Sequence, residues 1–149
     1  MANASVEFDL PVERGKIREL ALALGEDNPL FLDREAALAE GFPDVIAPPT
    51  FTVTDLWALS LQERLKRLGL ELDFARMLHG EQEYVYTRLP IAGEVLHGTL
   101  RIFSDCEKVG GRGGKMRCVT LETRFTDAEG ADVLTAYYTS IETAKDAGA

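Results

Sequence analysis

Thr50-Phe51-Thr52-Val53-Thr54-Asp55-Leu56-Trp57-Ala58-Leu59-Ser60-Leu61-Gln62-Glu63-Arg64-Leu65-Lys66-Arg67-Leu68 changes character half-way along its length. From Phe51 to Leu61 apolar side chains stand on all sides, among them Val53, Leu56, Trp57, Ala58 and Leu59, as in a helix surrounded by protein. From Gln62 onward only Leu65 and Leu68 are apolar among Glu63, Arg64, Lys66 and Arg67, so this end is expected to emerge into water. Pro48 and Pro49 cannot sit inside a helix and Gly69 offers a left-handed stop, which places its limits at about Phe51 and Leu68. A helix buried at its start and exposed at its end fits inside a curved sheet.

The material for that sheet lies downstream. Strand signals fill Glu81 to Arg88, with Tyr84, Val85 and Tyr86, then Val95 to Val109, Lys115 to Asp127 and Asp132 to Glu142. Ala92-Gly93, Val109 to Gly114 and Ala128-Glu129-Gly130 connect them, each short enough to join antiparallel neighbours. Met116 and Cys118 alternate on one parity while Val119, Leu121, Thr123 and Phe125 alternate on the other, a slip that predicts a β-bulge near Cys118. Upstream, Ile17, Leu20, Ala21 and Leu24 recur at helical spacing and Gly25 follows as a stop, so a helix is expected from about Glu13 to Leu24. Asn28-Pro29 breaks the chain, and Asp33 can cap a short helix through Ala36, Ala37 and Leu38 that ends at Gly41. The expectation is one α+β domain over residues 1–149: a long antiparallel sheet wrapped around a central helix, with Trp57 inside.

Composition narrows the function. A chain of 149 residues, 46% apolar, suits one core, and its apolar runs are short and broken by charge. Met1 to Val6 lacks the basic start and apolar stretch of a signal peptide, so a cytoplasmic protein without a membrane span is expected. Sixteen Lys and Arg against 25 Asp and Glu give a net charge of -9, which repels a phosphate backbone and argues against nucleic acid as a partner. Cys106 and Cys118 lack the number for a disulfide scaffold and the spacing of a zinc site; they read as two small buried side chains, and neither a metal nor a cofactor is expected.

The stretch Gly25-Glu26-Asp27-Asn28-Pro29-Leu30-Phe31-Leu32-Asp33, with Gly41-Phe42 and Val45-Ile46-Ala47-Pro48-Pro49-Thr50-Phe51 after it, resembles the MaoC-like (R)-specific hydratases of hotdog fold. There the corresponding run reads Gly-Asp-x-Asn-Pro-x-His-x-Asp, and its first Asp and its His act on a water and on the proton of the thioester's α-carbon. Laid on that pattern, the catalytic Asp falls on Glu26 and the catalytic His on Phe31. A phenyl ring neither accepts nor donates a proton. In the active relatives a His-Gly pair precedes the central helix and the glycine amide helps form the oxyanion hole; Pro48 and Pro49 match those positions, and proline has no N–H.

Leu78-His79-Gly80-Glu81-Gln82-Glu83-Tyr84, Ala92-Gly93-Glu94 and Gly110 to Thr123 extend the likeness to the branch described as MaoC N-terminal or FAS1-like dehydratase domains, over about Val12 to Glu142. Glu94 departs from the Asp frequent after that Ala-Gly. The resemblance implies a hydratase or dehydratase subunit without a catalytic residue of its own, acting on an acyl thioester of coenzyme A or acyl carrier protein. It implies a second hotdog subunit as partner, in a homodimer when the chain is prepared alone and in a heteromer with a dyad-bearing chain in the cell. Asn28, Phe31, Phe42, Pro49, Thr50, Phe51 and Trp57 are the residues it places along the acyl chain. Pairing has a physical motive as well, because a small curved sheet leaves an edge to be covered.

Two other readings stay open: a self-sufficient homodimeric hydratase or thioesterase using Glu26 or Asp27 as base, and a non-enzymatic acyl-thioester binding module. Asp27 before Asn-Pro is otherwise a turn former. His79 and His97 read as surface or hydrogen-bonded histidines. Gly110 to Lys115, with Arg112, is a hairpin loop able to receive a phosphate of coenzyme A or of a phosphopantetheine arm.

Overall fold

Val6, Phe8 and Leu10 alternate with Ser5, Glu7 and Asp9, and this period of two makes the first element a strand, β1 (Ser5–Pro11), where no strand was expected. The computed structural model describes residues 4–109 and 114–144. Helix α1 (Arg14–Leu24) follows, burying Ile17 and Ala21 and ending at Gly25, whose φ of 72° is the left-handed conformation that the stop requires. Asn28 caps the single turn α2 (Pro29–Leu32) by accepting from the Leu30 amide, and Asp33 caps α3 (Arg34–Ala39) by accepting from Glu35 and Ala36.

The long central helix does not form as one piece. Phe51–Trp57 is a 3-10 segment, the chain straightens at Ser60, and α4 (Leu61–Arg67) starts afresh. Two local features explain the break. Thr50, Thr52, Val53 and Thr54 are β-branched, which weakens α-helix formation, and the Ser60 hydroxyl accepts from the Glu63 amide, a cap that begins a new helix. The burial pattern is also inverted: Thr52 and Asp55 face inward, Val53 and Leu56 are each 46% exposed, and Trp57 is 86% exposed, so the interior position expected for Trp57 is wrong.

Strands β2 (Met77–Tyr86), β3 (Val95–Val109), β4 (Lys115–Thr126) and β5 (Asp132–Glu142) join β1 in one antiparallel sheet of order β1-β3-β4-β5-β2. β2 begins four residues earlier than expected. The irregularity expected near Cys118 lies instead on the facing strand, where the β3–β4 register shifts between Ile102 and Ser104 opposite Leu121 and Thr120. Cys106 and Cys118 face each other across β3 and β4, but Cys106 is exposed, against the expectation that both are buried. The Gly110–Gly113 part of the proposed phosphate loop, with Arg112, lies outside the described residues; Lys115 is exposed and pairs with Glu107.

Two apolar clusters fill the concave side. One joins α1, α2 and α3 to the start of β3, the end of β4 and the start of β5, around Ile17, Phe31, Phe51, Leu96 and Phe125. The other joins α4 to the middle of the sheet through Leu59, Leu65, Leu100, Val119 and Leu121. Gly98 matters to their junction: a Cβ there would stand 2.7 Å from the Phe8 ring, which packs edge-on against Phe125.

Asp44 clasps the cap to α1. Its carboxylate accepts from Arg14 Nε at 3.0 Å, Arg34 Nε at 3.3 Å and the Val45 amide at 2.7 Å, and chiefly through Arg14 its pKa falls from 3.8 to about 2. A folded value below the unfolded one stabilises above about pH 4 and loses that contribution as pH falls through about 2. Because Arg14 is largely exposed, water screens the pair and the contribution is about 1 kcal/mol. Asp44→Asn is therefore expected to lose about 1 kcal/mol at pH 7 and to show a shallower loss of stability between pH 4 and 2, read by urea unfolding across that range.

Candidate binding site

Where the two clusters part, the broken helix leaves a cavity of about 240 Å³ against β2, β3, β4 and β5. Its apolar walls are Leu56, Leu61, Leu100, Leu121 and Ala136. Its polar wall comes from the inward side of the 3-10 segment and from α4: Thr52, Asp55 and Arg64, each more than nine-tenths buried. Arg64 Nη2 stands 2.7 Å from Asp55 Oδ1, a close ion pair, while Arg64 Nε donates to the Leu59 carbonyl at 2.7 Å. The guanidinium also lies over the Phe8 ring, 5.2 Å from its centroid.

Burial pushes the Asp55 carboxyl up from its ordinary value, and Arg64 opposes that shift. Burial likewise raises the Tyr84 phenol, with the Asp55 charge adding to it. Tyr86, next along β2, is pushed up to about 12 by burial and then by Tyr84; its hydroxyl donates to the Pro49 carbonyl and so ties β2 to the start of the 3-10 segment. Both phenols are neutral donors at physiological pH. His79 lines the cavity from β2 and packs edge-on against Tyr138. His97 instead sits on the outer surface, its Nδ1 2.6 Å from Asp9 Oδ1 across β1 and β3.

The residues singled out from sequence do not gather here. Glu26 and Asp27 are exposed just beyond the end of α1. Phe31, at 7% exposure, and Phe51 belong to the first cluster, with Phe42 packed on its border. Asn28 is occupied as a cap, Pro49 and Thr50 are exposed, and none of the seven substrate positions lines the cavity. No group of three or more His, Cys, Asp or Glu able to hold a metal occurs among the described residues. Glu94 bridges Arg88 at 2.8 Å and accepts from the Ile91 amide, which rigidifies the turn into β3.

Residues 2–136 match the sequence family described as "FAS1-like, dehydratase domain region". The chain belongs to the FAS1-like dehydratase family. A UPF0336 protein of Clavibacter michiganensis subsp. michiganensis is 41% identical over 136 residues, which cover 91% of this chain and 87% of that one. Among solved structures, the HadBC (3R-hydroxyacyl-ACP dehydratase) complex from Mycobacterium tuberculosis shares the fold at a TM-score of 0.75 and 24% identity, over 95% of this chain and 98% of that one. A MaoC-like dehydratase aligns at a TM-score of 0.79 and 26% identity over 97% of this chain, which spans 42% of that protein's length. The five-stranded antiparallel sheet and its helices thus form a single hotdog-fold domain of the FAS1-like dehydratase family. No helix among the described residues is long and apolar enough to cross a membrane.

Proposed function

We propose that this FAS1-like domain is the pseudo-catalytic subunit of a cytoplasmic (R)-specific enoyl-thioester hydratase or 3-hydroxyacyl-thioester dehydratase, and that it holds the acyl chain while a second hotdog subunit supplies the Asp/His dyad. The reading rests on Phe31. The position at which the active relatives carry a proton-transferring His holds a phenyl ring packed into the core, and the Glu26 carboxylate lies out in solvent. Pro49, in the place of the oxyanion glycine, has only its carbonyl to offer, and Tyr86 already donates to it.

Assembly follows from the same surfaces. β1 and β2 end the sheet, and the 3-10 segment leaves apolar surface exposed at Val53, Leu56 and above all Trp57. In this reading Trp57 meets the partner rather than the interior. The HadBC neighbour, described as a complex with dehydratase activity, supports pairing of this kind. The acyl carrier, coenzyme A or acyl carrier protein, is left to the partner's surface.

The purified chain is expected to form a homodimer at micromolar concentration by light scattering and to show no measurable hydration of crotonyl-CoA. Addition of a copurifying hotdog protein that bears the dyad should restore turnover. Robust turnover by the chain alone would overturn the proposal and make Glu26 or Asp27 the base of a self-sufficient enzyme.

A further inference from the structure

We propose that the cavity between the 3-10 segment and the sheet is a hydroxyl-recognising pocket: it takes an aliphatic chain bearing a neutral hydroxyl remote from any reacting carbon, seated against the Asp55–Arg64 pair. The clause that this chain is the tail of an acyl thioester rests on the function proposed above; the pocket itself does not. Three observations carry the inference.

The first is the lining. Leu56, Leu61, Leu100, Leu121 and Ala136 are suited to hydrocarbon, and about 240 Å³ holds about eight water-sized groups at about 30 Å³ each. The second is hydrogen-bonding capacity beyond the partners in place. Arg64 Nη2 carries two N–H groups and Asp55 Oδ1, at 2.7 Å, can take one of them, while the buried Thr52 hydroxyl, a donor with two acceptor lone pairs, has the Tyr84 phenol as its hydrogen-bonding neighbour. Buried polar capacity left over costs stability, and a bound oxygen would relieve that cost. The third is charge balance. Asp55 only accepts and Arg64 only donates, so a hydroxyl, which does both, can meet the two at once. A carboxylate would add a net negative charge beside Asp55 with no counter-charge to spare, and a plain alkyl chain would leave the remaining capacity of both polar groups unused.

The test uses probes that carry no thioester. Binding of 1-heptanol, 1-chloroheptane and heptanoate to the purified chain is measured by calorimetry. Heptanol is expected to bind about tenfold or more tightly than the chlorinated chain of similar size, the ratio expected for hydrogen bonds to charged groups, and heptanoate more weakly than heptanol. Asp55→Leu with Arg64→Met, which replaces the pair by apolar groups of similar bulk, should abolish or reverse the preference for heptanol. Thr52→Val, a smaller change, should reduce it a few-fold, with circular dichroism confirming that each variant is folded.

No preference for heptanol, or a preference that survives in the Asp55→Leu/Arg64→Met protein, would overturn the proposal and leave the pair a structural one. Tightest binding of heptanoate would overturn the charge argument and with it the proposal. A second arm compares octanoyl-CoA with 8-hydroxyoctanoyl-CoA. A preference for the hydroxylated thioester supports pocket and thioester reading together, whereas a preference for heptanol with no binding of either thioester upholds the pocket and removes the thioester.

Discussion

Arg64→Met alone should destabilise the protein by about 3–5 kcal/mol, whereas Arg64→Met combined with Asp55→Leu should lie close to the wild type or above it. Both members of the pair are more than nine-tenths buried, so removing the guanidinium strands a carboxylate away from water. Arg64 also supplies the donor for the Leu59 carbonyl and the cation over Phe8, and both contacts disappear with it. Removing both charges eliminates the desolvation that the native fold has to overcome, which is why the double change is the milder one. Chemical denaturation of the four proteins of this cycle measures the difference. The pH dependence adds a sign. Burial already holds the folded Asp55 value above the unfolded one, and without Arg64 it must rise further. Such a carboxyl favours the folded state below its unfolded value and disfavours it as pH rises through the folded value, so the deficit of Arg64→Met should be smallest near pH 4 and grow toward pH 7. A deficit independent of pH would place the loss in packing against Phe8 rather than in the stranded charge.

That pair shows where local sequence reading stops. The strands Val95–Val109 and Asp132–Glu142, the helix ending at Gly25 and the Asp33 cap were legible because each depends on a short pattern: a period of two, a period of 3.6, a turn residue or a cap. β1 is equally legible in the alternation of Val6, Phe8 and Leu10, which stands apart from the strand-rich second half. The break at Ser60 had a signal too, since Ser60-Leu61-Gln62-Glu63 has the form of a capping box start. Asp55 and Arg64 are nine residues apart, a spacing that brings nothing together on one continuous helix. They meet only because the chain straightens at Ser60 and α4 takes a new course. An unbroken helix would put Trp57 inside and keep Asp55 from Arg64; the break reverses both.

Restoring chemistry at Glu26 and Phe31, the positions proposed for the dyad, should need more than the dyad. Glu26→Asp with Phe31→His is expected to give at most feeble hydration of enoyl-CoA, and adding Pro49→Gly should improve on it. Proton transfer by a positioned side chain contributes about 10²- to 10⁴-fold, and one oxyanion donor about 10²- to 10³-fold, as separate terms. Pro49→Gly returns a backbone N–H just before Phe51–Trp57 while keeping the carbonyl to which Tyr86 donates. The packing of Phe31 sets a second obstacle. Its ring belongs to the same cluster as Phe51, so an imidazole there gives up apolar contact and buries a polar group, at a cost of about 1–3 kcal/mol if unpartnered. Glu26, exposed beyond α1, has to be drawn toward that imidazole before the two can share a water. Steady-state hydration of crotonyl-CoA and a longer enoyl-CoA by wild type, double and triple variants, with circular dichroism to confirm folding, separates these effects. A triple variant no faster than the double would show that Pro49 does not stand where the oxyanion glycine stands. A folded double variant with full hydratase turnover would show that the oxyanion donor was never lost, since proton transfer alone would then have been the missing term.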